Sequence, residues 1–452
     1  MSEGDVRAEF ATQFAFMEEV LERARRAGAQ AEVYWSCSER LPVNFEAGRL
    51  KRIETTRHHA FALRVIHEGR VGLTSSTVAG EPAEMVERAM AAARYGPEAG
   101  FSFPSSDPGA DPGDWWDDRV AALGQDVLVD WGWTFVTGVH GLDGALAHAN
   151  LGRQIGATRI INTAGLDAVY RKTAVSAVFV AEVTEEGNFL HVYDWDASTR
   201  GDLDITGMAA RVVEDLRAAR QNVVMPPGEY PVVLAPRAVR DLLGPILACA
   251  DGRAVQRGVS PWRDRLGEEM FHRSFTLVDD GRLPGAAASC LCDDEGVPTG
   301  RTPIVQDGVL RSFLLDLESA SALGLTPTGN GARGEMADGP PVPQPTNLVI
   351  PAGEQPLADL LTGMRDGILV ENFMGAWSGN LYAGVVTGNV ALGYRVRGGE
   401  RVGRVKDCMF SVNAFTALKE ALGGISRETR RLGSVSFPYL LLERATITSR
   451  SD

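Results

Sequence analysis

Two short segments in the second half of the chain contain the residue types that could perform chemistry. The first is the acidic turn Asp293-Asp294-Glu295-Gly296, whose carboxylates could serve as general acids and bases. The second, 329–334, reads Gly-Asn-Gly-Ala-Arg-Gly, and its glycines would let backbone amides approach a ligand. Arg333 in this loop could hold a substrate carboxylate through two parallel hydrogen bonds. Both segments are equally compatible with plain solvated turns.

The histidines do not show the spacing of a metal site. His67 is followed by glutamate and begins an HExxH-like string, but Val71 and Gly72 stand where the second histidine would be. A histidine at the end of a strand is the better interpretation. His140 and His148 fall on one predicted helix, about two turns apart, which is too far to share one ion.

The cysteines leave one alternative open. Cys290 and Cys292 would face the same side of a strand and, with Cys249 and Cys408, could bind a soft metal. The spacing matches no zinc knuckle, and small buried core residues are the more ordinary interpretation. The sequence contains neither a GxSxG nucleophile elbow nor a phosphate-binding P-loop.

Composition excludes several classes of function. The 452 residues include 59 acidic and 45 basic ones, a net charge of −14, which argues against binding to nucleic acid or to an anionic membrane. No apolar run approaches the roughly 18 residues of a membrane span. The first ten residues lack the basic start and apolar core of a signal peptide. Five cysteines form no disulfide framework, so we expect a reduced, cytoplasmic compartment.

The elements that must position these residues follow from hydrophobic periodicity. Apolar residues from Phe10 to Ala24 recur at helical spacing and predict an N-terminal amphipathic helix. Four β-like runs and a helix follow, at 31–36, 49–55, 60–66, 71–75 and 83–95. We predict an α+β fold, with an N-terminal helix plus antiparallel-sheet domain followed by a β-rich C-terminal domain.

The breaks in this pattern suggest two domains. Residues 97–114 are rich in Pro, Gly, Ser and Asp and predict a linker or surface loop. We then expect helices at 126–149 and 205–221, with hairpins around 163–165 and 185–188. The Met-Pro-Pro-Gly segment 225–228 predicts a boundary, which gives domains 1–224 and 225–452. After it come a strand at 230–234, a helix at 236–250, and short helices at 357–365 and 414–422.

Taken in order, several of these segments resemble the TldD/PmbA family, some of whose members are known as modulators of DNA gyrase. The N-terminal likeness lies in 45–51 and in 64–66 with 69–72. The C-terminal half is more similar, in segments 232–238, 271–280, 293–299, 314–316, 328–332 and 345–348. The resemblance extends over nearly the whole chain and is least typical at 103–135.

The family implies two kinds of member. TldD-like proteins bind zinc through an HExxxH on the helix after the apolar strand and through a C-terminal cysteine. PmbA-like proteins, also called TldE, lack these ligands and pair with TldD to degrade or trim peptides. Here no histidine lies between His191 and His272, and no cysteine follows Cys408. The chain therefore resembles the PmbA branch, and we expect no metal or other cofactor on it.

We accordingly expect a non-catalytic subunit of a TldD-type zinc metalloprotease complex that acts on small or unfolded peptides, with the zinc in the TldD-like partner. A homodimer is a further possibility. The candidate cleft residues are Asp293, Asp294, Glu295, Asn330, Gly331 and Arg333. Two alternatives stay open: a stand-alone amide or peptide hydrolase acting on a small metabolite or modified peptide, and a regulatory scaffold. Any link to gyrase would run through a peptide substrate, because the acidic composition gives no support for DNA binding.

Overall fold

A computed structural model describes residues 3–105, 108–109, 115–142, 144–185, 188–376 and 379–449. Within these ranges the chain forms one seven-stranded and one twelve-stranded sheet, with helices packed on both. The predicted α+β class is confirmed. The predicted domain boundary at residue 225 stays a prediction. Part of the predicted loop 97–114, namely 106–107 and 110–114, lies outside the described residues.

The first sheet is built from residues 30–198. The elements in this half are α1 (Glu3–Glu9), α2 (Ala11–Arg26), β1 (Gln30–Glu46), β2 (Arg49–Ile53), β3 (Thr56–His67), β4 (Arg70–Ser76), α3 (Pro82–Ala93), α4 (Asp118–Ala121), α5 (Gln125–Val139), β5 (Ala145–Asn162), β6 (Asp167–Glu185), β7 (Asn188–Ser198) and α6 (Ile205–Ala218). The strand order is β4-β3-β1-β5-β6-β7, with β2 paired to β1. All of these neighbouring strands are antiparallel.

The N-terminal helix packs as its periodicity predicts. Helix α2 buries Phe14, Met17 and Ala24 against one face of the first sheet. The ring of Phe10, just before the helix, lies 4.7 Å from the ring of the fully buried Trp35 on β1. Such aromatic pairs add about 1 kcal/mol to the free energy gained by burial. The opposite face of the sheet is left to contact the second half of the chain.

The predicted helix at 126–149 is wrong in its second half. Helix α5 ends at Val139, and β5 begins at Ala145. Ala147, Ala149 and Leu151 are buried on alternate positions, as a strand between β1 and β6 requires. Alanine and histidine tolerate a helix, but pairing on both sides overrides local propensity. His140 and His148 therefore do not share a helix.

The second sheet is built from residues 222–449. Its elements are β8 (Asn222–Val223), β9 (Gly228–Leu234), α7 (Pro236–Leu242), α8 (Gly244–Ala250), α9 (Gly252–Gln256), β10 (Leu277–Asp280), β11 (Arg301–Gln306), β12 (Val309–Leu310), α10 (Leu317–Leu323), β13 (Gly331–Ala332), β14 (Val342–Pro343), β15 (Leu348–Val349), α11 (Leu357–Thr362), β16 (Asp366–Met374), a 3-10 turn (Leu381–Ala383), β17 (Val385–Arg397), β18 (Glu400–Val405), β19 (Cys408–Asn413), α12 (Ala414–Glu420), β20 (Leu422–Leu432) and β21 (Val435–Ser449). The main path is β12-β11-β10-β15-β21-β9-β16-β17-β18-β8.

Apolar packing joins the two halves. Helices α5 and α6 lie in one core that includes strands of the first sheet together with Val233, Leu369 and Leu392 of the second. The other face of the second sheet packs on α7 and α8. None of the described helices is both long and apolar enough to cross a membrane.

Candidate functional site at the junction of the two halves

The two loops singled out from the sequence lie against each other. The Asp294 amide donates to the Gly331 carbonyl at 2.9 Å, and the Gly331 amide donates to Asp293 Oδ2 at 2.8 Å. The Arg333 amide donates to Asp294 Oδ2 at 2.7 Å. The structure thus brings the acidic turn and the glycine-rich loop together, although they are more than 30 residues apart in sequence.

Glycine permits this close approach for steric reasons. A Cβ added to Gly331 would lie 2.3 Å from Glu295 Oε2. Gly329 has a φ of +73°, and a Cβ there would lie 2.5 Å from the Pro298 carbonyl oxygen. Residues with a side chain rarely adopt that φ, and either contact would force the loops apart.

Beneath the loops lies a buried cluster of four ionisable side chains, here called the junction cluster: Glu32, Arg64, Glu295 and Arg333. Arg333 Nη2 donates to Glu32 Oε1 at 2.6 Å, and Arg64 Nη2 donates to Glu32 Oε2 at 3.0 Å. Arg64 Nη1 donates to Glu295 Oε1 at 2.6 Å. Because two guanidiniums balance two carboxylates, the cluster can be buried without net charge.

The junction cluster corrects the expectation that Arg333 is an exposed clamp. The Arg333 side chain is 0% exposed, and that of its partner Glu32 is also 0% exposed. Its guanidinium further donates to the Asp294 carbonyl at 3.3 Å. An arginine already committed to these acceptors is not available for a substrate carboxylate. The acidic turn is likewise not a solvated hairpin, since Asp293 and Glu295 are buried.

Burial shifts the pKa values of the carboxyl groups in the acidic turn. It raises the pKa of Glu295 above its ordinary value, and the Arg64 guanidinium opposes that shift. Burial and then the nearby Glu295 charge raise the pKa of Asp293, against the hydrogen bonds from the Gly331, Val297 and Glu295 amides. These carboxylates are held by fixed donors within the protein, which suits a structural role better than proton transfer to a substrate.

Asn330 joins this region to β10. Its Nδ2 donates to Asp279 Oδ2 at 2.7 Å and to the Gln344 carbonyl at 2.9 Å. Burial raises the pKa of Asp279 to about 6, although Asn330 and Thr346 donate hydrogen bonds to its carboxylate. Asn330 therefore ties the glycine-rich loop to the second sheet.

Two of the six candidates also border a cavity. Asp294 and Arg333 line a space of about 440 Å³ between the first sheet and the loops of the second half. The other four candidates, Asp293, Glu295, Asn330 and Gly331, do not line it. A separate cavity of about 1160 Å³ lies between β7 and strands β16, β17 and β19, and none of the six candidates lines it.

Sequence reasoning missed Glu32, Arg64 and Lys172. Glu32 and Arg64 are opposed in the β1–β3 register, each within a short, mostly apolar run of its strand, 31–35 and 60–66. Lys172, on β6, lines the smaller cavity. The available signal was a charged residue within a buried apolar run, because such a charge needs a partner.

Helices α7 and α8, where the family resemblance would place metal ligands, are largely apolar here. Leu242, Leu243 and Ile246 are fully buried. Arg237 is also buried and pairs with Glu371 at 3.2 Å. Cys249 is buried, and burial raises its pKa to about 12. Across the described ranges, no three His, Cys, Asp or Glu side chains are grouped so as to hold a metal ion.

The thiols likewise do not form the soft-metal group considered from the sequence. All five cysteines are free, with four buried and Cys290 half-buried. Burial raises the pKa of Cys290 to about 12 and that of Cys408 to about 11. A thiol with so high a pKa is protonated at neutral pH and is therefore a poor nucleophile.

Fold and junction together define a two-sheet α+β protein whose halves are joined by buried ion pairs, and known families have domains similar to those of this chain. The model of the PmbA/TldA metallopeptidase C-terminal domain matches residues 227–449, and that of PmbA/TldA metallopeptidase domain 1 matches residues 31–93. The chain belongs to the TldD/PmbA family.

Relatives and solved structures agree with this assignment. An uncharacterized protein of Methanocaldococcus jannaschii is 25% identical over 90% of this chain and 94% of its own length. The metalloprotease TldD homolog of Haemophilus influenzae is 30% identical over 39% of this chain and 36% of its own length. TldE from Thermococcus kodakarensis has the same fold, with a TM-score of 0.87 and 22% identity over 96% of this chain and 100% of that one. A proposed modulator of a DNA gyrase from Thermotoga maritima also has a TM-score of 0.87, with 21% identity over 96% and 99%.

Proposed function

We propose that this chain is a non-catalytic, PmbA/TldE-like subunit of a TldD-type zinc metalloprotease complex that acts on small or unfolded peptides. One observation carries the proposal: the segment where the resemblance places HExxxH forms α7 and α8 without a histidine. An arginine, a high-pKa thiol and apolar side chains stand there instead. None of these groups activates a water molecule as a zinc ion does.

The likeness to TldE supports the proposal further. The alignment with Thermococcus kodakarensis TldE extends over nearly all of both chains. In the proposed complex, the TldD-like partner supplies the zinc, and this chain supplies surface that shapes the peptide site. The junction cluster would contribute indirectly, by fixing the two halves relative to each other so that the surface is preorganised for docking.

Reconstitution tests the proposal. The partner is a relative bearing HExxxH and encoded in the same genome, and peptide hydrolysis is measured for each chain alone and for the two together. We expect turnover to require the partner, to increase when this chain is added, and to be lost with a zinc chelator. The control is a partner variant in which the glutamate of HExxxH is replaced by glutamine.

Other outcomes would support the alternatives. Chelator-resistant hydrolysis by this chain alone would overturn the proposal in favour of an independent amide or peptide hydrolase. Tight association without any change in the turnover or peptide selectivity of the partner would overturn it in favour of a regulatory scaffold.

A further inference from the structure

The smaller cavity has a polar floor made by three adjacent strands. In the β1–β5–β6 register, directly opposed residues face the same side of the sheet. Three successive rows form the floor: Ser36, Thr158 and Tyr170; Ser38, Gly156 and Lys172; Arg40, Gln154 and Ala174. Ala287, Ala288, Cys290, Asp294 and residues 333–335 close the cavity from the other half of the chain. Gly156 in the middle row leaves space above the sheet.

Lys172 differs from the other cations of this cavity because it is unpaired. Arg40 pairs with Glu335 at 2.9 Å, and Arg333 pairs with Glu32 at 2.6 Å. The Lys172 amine has no hydrogen-bond or ion-pair partner among the described residues. Burial lowers its pKa, and the nearby Cys290 and Asp294 oppose that shift. The Lys172 side chain is only partly buried and lines the cavity, so its amine is open to an anionic group of a ligand.

Asp294 supplies the opposite charge in the same cavity. One of its oxygens accepts a hydrogen bond from the Arg333 amide at 2.7 Å. A carboxylate offers about four lone-pair sites, so acceptor capacity remains. Lys172 and Asp294 do not approach within the 4.0 Å of an ion pair. A dianion such as phosphate would be repelled by Asp294, whereas a ligand with separate positive and negative ends would satisfy both residues.

We propose that this cavity binds a small α-amino carboxylate, a free amino acid or a short peptide, with its carboxylate on Lys172 and its ammonium on Asp294. The volume of about 440 Å³ lies within the range of small-molecule sites. Ser36, Ser38, Gln154 and Thr158 supply hydrogen-bonding groups around these two charges. The inference does not depend on the proposed subunit function, because all of these residues belong to this chain.

Calorimetric titration of the isolated chain tests the inference. The probes are the proteinogenic L-amino acids singly and L-alanyl-L-alanine, with propionate, ethylamine and inorganic phosphate for comparison. We expect at least one zwitterionic probe to bind more tightly than propionate, ethylamine or phosphate. Binding of free amino acids but not of the dipeptide would identify the ligand as a free amino acid. Binding of the dipeptide but not of free amino acids would identify it as a short peptide. Absence of zwitterion binding, or tighter binding of phosphate, would overturn the proposal.

The variant Lys172→Met separates binding from folding. It keeps the length of the side chain and removes the charge, so we expect affinity for the zwitterion to fall about tenfold or more. The variant should melt near the wild-type temperature, because Lys172 makes no hydrogen bond or ion pair among the described residues that the substitution would remove. Lys51→Met is the matched control, since Lys51 is exposed on β2, and it should bind normally. Unchanged affinity in Lys172→Met would refute the assignment.

Amine labelling provides a second readout that does not depend on a variant. The sequence contains only Lys51, Lys172, Lys406 and Lys419, so each modified amine can be identified by peptide mass spectrometry. The amine of the free ligand also consumes reagent, so the readout is the ratio of acetylation at Lys172 to that at Lys51, which the bound zwitterion should lower. Equal protection of both lysines, or protection of neither while the ligand is bound, would contradict a site at Lys172.

Discussion

The junction cluster and the floor of the neighbouring cavity lie between the same two halves of the chain. They differ in whether their charged side chains are paired with opposite charges. In the junction cluster, Glu32, Arg64, Glu295 and Arg333 are all paired and almost fully buried. On the cavity floor, Lys172 has space beside it and no partner among the described residues. Balanced charge in a buried network of ion pairs indicates a structural connection, whereas an unpaired charge beside free volume indicates a place for a ligand. Two of the six candidate residues chosen from sequence, Glu295 and Arg333, belong to the first kind.

The largest effect on stability is expected for a substitution in the junction cluster. Replacing Arg333 with alanine leaves the buried Glu32 with Arg64 alone and should cost about 3–5 kcal/mol in the free energy of unfolding. Urea unfolding followed by fluorescence measures the loss. Arg23→Ala is the control: its pair with Glu19 is half-exposed on α2, and its loss should cost no more than about 0.5 kcal/mol. A loss of unfolding free energy in Arg333→Ala as small as that in Arg23→Ala would mean that Arg333 is an exposed loop residue and not part of a buried network.

A smaller effect is expected where the two loops touch. Gly331→Ala would introduce a methyl group 2.3 Å from Glu295 Oε2, so the loops must separate. We expect a loss of about 1–3 kcal/mol, the usual cost of overpacking. Gly300→Ala has no atom within 4 Å of the new methyl and should be nearly neutral. The same urea experiment compares the two, and a neutral Gly331→Ala would mean that the loops do not need this close contact.

The smallest expected effect is a change in the slope of stability against pH. Asp279 has a pKa of about 6 in the folded chain, above the ordinary value of 3.8. Between these two values the folded state binds more protons than the unfolded state, so the contribution of Asp279 to stability falls as pH rises from about 4 to about 6. Asp279→Asn should remove the part of the decrease in the free energy of unfolding that Asp279 causes over this pH range. Asp307→Asn, the control in a turn, should show the same decrease as the wild type. Parallel curves for wild type and Asp279→Asn would show that the pKa of Asp279 is not raised.

The sequence predicted the local elements better than the charge pairs. The strands at 31–36, 60–66 and 71–75 lie within β1, β3 and β4, because alternation of apolar residues is a local signal. The structure pairs the two loops through hydrogen bonds, and their role as the border of a substrate cleft stays a prediction. The exposure of Arg333 was wrong because its partner Glu32 lies 301 residues away, and no local pattern reports such a contact. The strand at 145–149 was missed because its alanines and histidine also suit a helix.

The central claim is that this chain depends on another subunit for its metal, and metal analysis tests it most directly. The chain is purified alone and together with its HExxxH-bearing relative, and zinc is determined by elemental mass spectrometry after exhaustive dialysis. We predict zinc well below stoichiometric in the chain alone and tightly held zinc in the complex, lost when the histidines of the partner are replaced. Stoichiometric zinc that stays with this chain alone through dialysis would contradict the account.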